Sequence, residues 1–281
     1  MHAMKTLFMI SLSLLYAYGT IVLNVPNEKE DTFLSFDKNI EVGIPITVCI
    51  RFKLKGYLTN RVIFSSKGDT FRLSLQPQEG QGWIRLNTVY VLFKITRDNF
   101  QPYLWHHLCY TMDKESFMVI IDGKKVYQSK YSNTTLNQIA SANMFLKRTK
   151  IQQIRLGSLV PNEIAFSHYE NFKGELTELN IWDKALSKEE MIELTKSCKI
   201  ASPAPDILNW SEDINLYLSG GEDTSTIAMT QFCPKSDQTV ELHKIVQVLL
   251  NQDDAIHTCN ILNGKLAYPI TTDQYKTWKS R

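Results

Sequence analysis

Trp105-His106-His107-Leu108-Cys109-Tyr110-Thr111-Met112-Asp113, then Phe117-Met118-Val119-Ile120-Ile121, then Asp122-Gly123-Lys124-Lys125-Val126-Tyr127, is the stretch whose reading decides the fold. Leu108, Tyr110 and Met112 alternate with His107, Cys109 and Thr111. That two-residue period belongs to a strand with one apolar face. Asp122-Gly123 lies between apolar runs. A type I′ turn needs positive φ at both central residues, so this dipeptide is read as the tip of a hairpin.

The same punctuation extends outward from this hairpin. Upstream, segment 44–54 sets Ile44, Ile46, Val48, Ile50, Phe52 and Leu54 on one face, against Thr47, Cys49, Arg51 and Lys53. Val62-Ile63-Phe64, Phe71 to Leu75 and Trp83 to Phe93 continue the series of short strands between polar or glycine-containing turns. Downstream, 174–183 alternates Leu176, Glu178, Asn180 and Trp182 with Thr177, Leu179 and Ile181, a strand ending at Asp183. Ser187-Lys188-Glu189-Glu190 follows as a capping box, opening a short helix through Met191 and Leu194 to Cys198. A last β segment is expected at 207–218. Regularly spaced strands without a competing helical period before residue 187 indicate a sandwich or barrel.

The ends and the cysteines set the compartment. Lys5, the apolar run from Leu7 to Tyr16 and the small residues Ala17 and Gly19 have the order of a secretory signal peptide. Residues 1–19 are therefore set aside, the run being too short to span a bilayer. No later run approaches that length, so no membrane association is expected after signal removal. Cysteines 49, 109, 198, 233 and 259 then meet an oxidising lumen, where pairing is the default and one thiol is left over. Cys109 and Cys49 each lie on the less apolar face of their strand, so they can meet if those strands are neighbours. Cys198 and Cys233 flank the last sandwich segment and the linker, and are paired with each other. Sequons at Asn133 and Asn209 agree with export. A net charge of +2 and an aromatic content of 11% describe an ordinary globular surface, not a nucleic-acid binder.

Taken together, the 105–113 segment, Asp122-Gly123-Lys124, Gly174-Glu175, Ile181-Trp182-Asp183, Leu186-Ser187, Glu190 and Leu208-Asn209-Trp210 resemble a pentraxin domain over residues 30–220. The resemblance implies an all-β, two-sheet jelly-roll sandwich of the concanavalin A-like kind with one short helix, and a disulfide between Cys49 and Cys109. A loop of about sixty residues closed in this way stabilises a fold by about 4 kcal/mol in the chain-entropy model. Pentraxins commonly form rings, so the resemblance also implies a homo-oligomer. Met112 stands where the family's signature has Trp.

The family's calcium site is where this chain departs. Of the first ligand loop, Lys67-Gly68-Asp69-Thr70, only Asp69 carries over. In the later loop Leu159, Val160 and Pro161 stand in place of carboxylate and amide ligands, and calcium needs six to eight oxygens. Asn162, Glu163 and Glu170 are the remaining metal candidates. The expectation is a chain with no cofactor and no pentraxin-type calcium.

Gly220-Gly221 opens a polar linker over 221–239. Residues 240–281, with Asp253 and Asp254 in the first turn of a helix reaching Cys259 and then Gly264, resemble the first part of a C-type lectin-like domain, an incomplete α+β segment. Cys259 has no partner in this reading.

No catalytic constellation stands out. The chain has no Gly-x-Ser-x-Gly elbow, no His-Glu-x-x-His and no phosphate loop. Glu175 and Glu178 lack the spacing of a glycosidase acid pair. His106-His107 beside Cys109 has zinc-ligand chemistry, but Cys109 is better used in a disulfide. Lys147-Arg148-Thr149-Lys150 offers charge for sulfated glycans, or a solvated loop. The sequence thus points to a non-enzymatic, secreted recognition or adhesion module for a glycan, microbial or cell-surface ligand. The alternative is the ectodomain fragment of a larger receptor acting as a structural or protein-interaction module.

Overall fold

A computed structural model describes residues 19–232 apart from 26–31, 56–60, 78, 97–98, 101–102, 132–147, 158–169, 197–202 and 220–223. The chain divides into two units, residues 1–241 and 242–281, and every described residue lies in the first. The lectin-like segment expected at 240–281 is therefore outside the described residues.

Strands numbered in chain order form two sheets. The first runs, in spatial order, β10 (Lys124–Lys130), β9 (Ser116–Ile121), β8 (Trp105–Met112), β3 (Ile46–Leu54), β13 (Gly174–Trp182), β1 (Gly19–Val25) and β15 (Thr224–Ala228). The second runs β14 (Leu218–Ser219), β2 (Thr32–Val42), β11 (Thr149–Leu156), β4 (Arg61–Ser66), β5 (Phe71–Gln76), β6 (Gln81–Leu86) and β7 (Val89–Lys94). These pairings are antiparallel, and a short β12 (Glu170–Asn171) adds in parallel to the start of β4. The inner faces interdigitate as one core: Val48, Ile50, Phe52, Leu108, Tyr110 and Val119 from the first sheet meet Phe64, Phe71, Leu73, Ile84, Phe93 and Ile154 from the second. Close packing of two alternating faces is what the two-residue period demands of a sandwich.

The turns follow their local chemistry. Asp122 and Gly123 both have positive φ, 49° and 73°, and Ile121 pairs with Lys124 across them, as a type I′ turn requires. Asp122 then locks the hairpin onto β8: its Oδ1 accepts from the His107 N–H at 2.8 Å, and its Oδ2 lies 2.7 Å from His106 Nδ1. Helix α1 (Lys188–Lys196) starts on the expected capping box. Ser187 N–H donates to Glu190 Oε2 at 2.7 Å, and Glu190 N–H donates to Ser187 Oγ at 3.2 Å. The Ser187 N–H and the Ser187 hydroxyl, both donating to Glu190 Oε2, hold the Glu190 carboxyl below its ordinary range.

Three expectations are corrected. The segment 207–218 is not a strand: residues Trp210–Tyr217 form a second helix, α2, and β14 follows it. Asn209 caps the helix with extended backbone, its N–H donating to Asp213 Oδ2 at 2.7 Å, and Glu212 and Asp213 occupy the favourable first turn. Trp210 and Ile214, one turn apart, are both buried, and the Trp210 indole donates to the Ile21 carbonyl at 3.0 Å. A short apolar run does not distinguish strand from helix by period alone, and here the cap decides.

The second correction lies in β13. Glu178 takes a φ of 53°, and the pairing with β3 shifts between Thr177 and Asn180. This β-bulge inserts one residue and so flips the alternation beyond it. Leu176, Leu179 and Ile181 all reach the main core, whereas Trp182 turns to the opposite face.

The third concerns β3, read as buried on one face only. Thr47, Cys49 and Arg51 are buried as well. A second apolar cluster of Cys49, Cys109, Met118, Ile120, Trp182, Leu186, Met191 and Leu194 covers that side. Helix α1 thus roofs the middle of the first sheet. Among the described residues no helix is long and apolar enough to cross a membrane.

Candidate functional site

Strand alternation builds one distinctive surface. Along β7, Val89, Val91 and Phe93 point into the core, so Tyr90, Leu92 and Lys94 must point out. Along β6, Ile84 and Leu86 point in, and Gln81, Trp83 and Arg85 point out. The register sets Trp83 opposite Leu92, Arg85 opposite Tyr90, and on the other side Ser74 beside Trp83. Tyr90 is 40% exposed and Leu92 45%, two of the three large apolar side chains exposed among the described residues. They share one face because they stand two residues apart on β7, the edge strand of its sheet.

The plates are held in place. The Trp83 indole N–H donates to Gln76 Oε1 at 2.9 Å. The Arg85 guanidinium stacks 4.9 Å above the Tyr90 ring, its Nε donating to the Asn87 carbonyl at 3.1 Å while Nη1 pairs with Asp69. Next to Trp83, Ser74 Oγ is buried and makes no hydrogen bond among the described residues. Fixed aromatic faces beside polar groups suit the C–H face and hydroxyl rim of a sugar ring, since an aromatic adds directed contact to apolar area.

Asp69, the candidate carried over from a calcium site, is otherwise engaged. Its carboxylate is 1% exposed and forms ion pairs with Arg72 at 3.0 Å and with Arg85. It sits in the turn after β4, whereas Glu170 pairs with Arg61 at the strand's other end. Five residues of extended chain separate those ends by roughly 16 Å, so one ion does not bridge Asp69 and the Glu170 backbone position. Asn162 and Glu163 lie outside the described residues.

Other expected sites are placed as follows. Cys49 and Cys109 are directly opposed across β3 and β8 and joined by a disulfide, with Cα atoms 4.1 Å apart. Cys198, Cys233, Cys259 and Asn133 lie outside the described residues. Asn209 is half-buried at the cap of α2, its Oδ1 accepting from Ser211 Oγ at 2.9 Å. Of the basic run, Arg148 pairs with Asp183 at 2.5 Å and Lys150 approaches Glu41 at 3.9 Å. Glu175 and Glu178 are each held by a cation, Glu175 by Lys53 at 3.0 Å and Glu178 by Arg51. Burial pushes the Glu178 carboxyl up against the opposing pull of Arg51. A groove of about 680 Å³ at the β10 edge of the first sheet is lined by Lys114, Glu115, Lys125, Gln128 and Lys130 among others.

His107 lies next to the disulfide. It is buried beside Cys109, with Nε2 4.0 Å from Sγ. Burial first, and the Arg51 charge second, hold its imidazole well below the ordinary value, against a backbone hydrogen bond with Leu194.

Sequence reasoning did not single out Trp83, Tyr90 or Leu92. Alternation in 83–93 marked strands, but a strand's two faces are equivalent until a partner sheet selects one.

Comparison with known proteins places this geometry. Residues 30–191 match the family described as the concanavalin A-like lectin/glucanases superfamily. No curated protein sequence matches the chain. Among solved structures, the heptameric SAP-like pentraxin from Limulus polyphemus is similar at 17% identity and TM-score 0.56, over 75% of this chain and 94% of that one. A putative carbohydrate binding protein from Bacteroides ovatus is similar at 13% identity and TM-score 0.48, over 74% of this chain and 60% of that one. The extracellular region of zebrafish Gpr126/Adgrg6 is similar at 15% identity and TM-score 0.49, over 73% and 26%.

Proposed function

The chain belongs to the concanavalin A-like lectin/glucanase superfamily, and from that premise we propose that it is a secreted recognition or adhesion module that binds a glycan on a cell or microbial surface. The observation that carries this is the ordered outward face on the β6–β7 edge, where exposed Tyr90 and Leu92 flank half-buried Trp83, with its indole oriented by Gln76 and its phenol stacked under Arg85. Binding there uses no metal. The pairing of Asp69 with two arginines supports a mode independent of calcium. The engagement of Glu175 and Glu178 by cations supports binding without hydrolysis. Ligand recognition of this kind places two or three anchors at the centre of a small contact, so each anchor counts heavily.

The test is a glycan array probed with the secreted full-length chain, with and without chelator, beside Trp83→Ala and Tyr90→Ala. Binding is expected to survive chelation. Trp83→Ala is expected to weaken it by about thirtyfold, the loss of roughly 2 kcal/mol. Absence of glycan binding under every ion condition, or equal binding by parent and Trp83→Ala, overturns the proposal.

A further inference from the structure

Resting on the reading of the β6–β7 edge as a sugar-binding face, we infer that its ligand is an acidic glycan whose carboxylate or sulfate groups pair with Arg85 and Lys94. The outward side chains of these two strands are Gln81, Trp83, Arg85, Tyr90, Leu92 and Lys94, which include two cations and no carboxylate. The register sets Arg85 across from Tyr90, Trp83 across from Leu92, and Gln81 across from Lys94. The aromatic and apolar plates therefore lie between a guanidinium at one end and an ammonium at the other. Four residues of extended chain carry the face from Tyr90 to Lys94, about 13 Å, the length of a short oligosaccharide rather than of one ring.

Both cations have donors to spare. Arg85 spends Nε on the Asn87 carbonyl at 3.1 Å and Nη1 on Asp69, and its Nη2 has no partner among the described residues. The side chain is 22% exposed, and water reaches that nitrogen. Asp69 does not cancel the charge outright, because the same carboxylate oxygen also faces Arg72 at 3.0 Å. It is also 1% exposed, so a ligand meets the guanidinium and not the carboxylate. Lys94 is exposed and makes no ion pair or hydrogen bond among the described residues. A guanidinium fixed by two partners meets an oxyanion with its geometry already set. A neutral sugar leaves both cations to water. A uronate or a sulfate ester replaces that water with a charge-assisted hydrogen bond while its ring keeps the same plates.

The experiment compares glucose- and galactose-ended oligosaccharides with the same chains ending in glucuronate or galacturonate, and with their 6-sulfated forms. Binding to the secreted full-length chain is read on an array and then by calorimetry. Acidic members are expected to bind at least about tenfold tighter than their neutral counterparts in about 0.05 M salt. That margin is expected to shrink to about threefold or less near 0.5 M salt. Either acid meets the proposal, and the uronate and sulfate arms tell which one the face takes. Lys94→Gln and Arg85→Gln are each expected to cut the acidic-over-neutral ratio by at least about threefold, and the double variant to bring it to about one. Trp83→Ala is expected to weaken both kinds alike and leave the ratio standing. Circular dichroism confirms that each variant is folded, and if Arg85→Gln is not, Lys94→Gln at its exposed position carries the test. Equal binding of neutral and acidic members by the parent overturns this inference and leaves the glycan-binding reading in place. So does a ratio that survives in the folded variants, including one that survives a general loss of affinity in Arg85→Gln. Binding to no glycan of either kind overturns both.

Discussion

Alanine at two glycines separates a steric cost borne by backbone from one borne by a flexible side chain. Gly174 opens β13, paired with Leu54 of β3 on one side and Val25 of β1 on the other. A Cβ built there runs into the Lys53 carbonyl oxygen and lies 2.8 Å from Phe172 Cε1 and 2.9 Å from its Cζ, closer than real Cβ atoms come. The oxygen belongs to a strand pinned between β8 and β13, and Phe172 is fully buried, so neither gives way. The strands have to part locally. That forfeits two or three ladder hydrogen bonds at about 1 kcal/mol each and adds overpacking of about 1–3 kcal/mol, so the Gly174→Ala cost is about 3–6 kcal/mol. At Gly123 a Cβ meets Lys196 Cγ, Cδ and Cε, the movable end of an exposed lysine, and the chain has a φ of 73°. The lysine swings aside and only the left-handed backbone is charged to alanine, about 1–2 kcal/mol. Urea unfolding followed by tryptophan fluorescence measures both. Gly174→Ala is expected to be the worse by about 2 kcal/mol, with unchanged denaturant slope. If Gly123→Ala costs as much, or Gly174→Ala costs less than about 1 kcal/mol, the assignment of rigid and yielding neighbours is wrong.

Two further outcomes follow from the first sheet. Replacing both Cys49 and Cys109 with alanine opens a link across 60 residues and is expected to cost about 4 kcal/mol, lowering the melting temperature by about 8–16 °C in calorimetry; a drop of under about 3 °C contradicts the entropic account. His107 is held well below the ordinary histidine value of 6.5 when folded. The unfolded chain therefore takes up a proton there that the folded chain refuses, and stability is lost as pH falls below about 6.5, by at most about 1.4 kcal/mol per pH unit from this group. Stability of His107→Gln measured between about pH 7 and 5 should fall less steeply than the parent's, and parallel profiles would exclude His107 as the source.

Much of the architecture was legible because it is written in local rules. The alternation of 44–54 and 105–113, the Asp122-Gly123 turn and the Ser187–Glu190 capping box each depend on a few neighbouring residues, and each is found where its chemistry places it. The opposition of Cys49 and Cys109 rested on a family resemblance and on their sharing the less apolar face, and β3–β8 pairing meets both conditions. What escaped the sequence depends on partners distant along the chain. The bulge at Glu178 is visible only against β3, because a strand has no register until another strand supplies one. Asp69 looks like a metal ligand until Arg85, sixteen residues later in sequence, is folded against it.

The disulfide-linked strands β3 and β8 and the hairpin beside them show where the division falls. By itself the sequence determined an all-β chain with its turn at Asp122-Gly123 and its cap at Ser187, since backbone sterics and nearest-neighbour hydrogen bonds suffice for these. Only the tertiary structure decided that Cys49 and Cys109 lie under a helix rather than in solvent, and that Trp83, Tyr90 and Leu92 face outward from an edge rather than into the core. The physical reason is the same in both cases. An alternating strand specifies two faces, but only packing against other elements decides what each face meets.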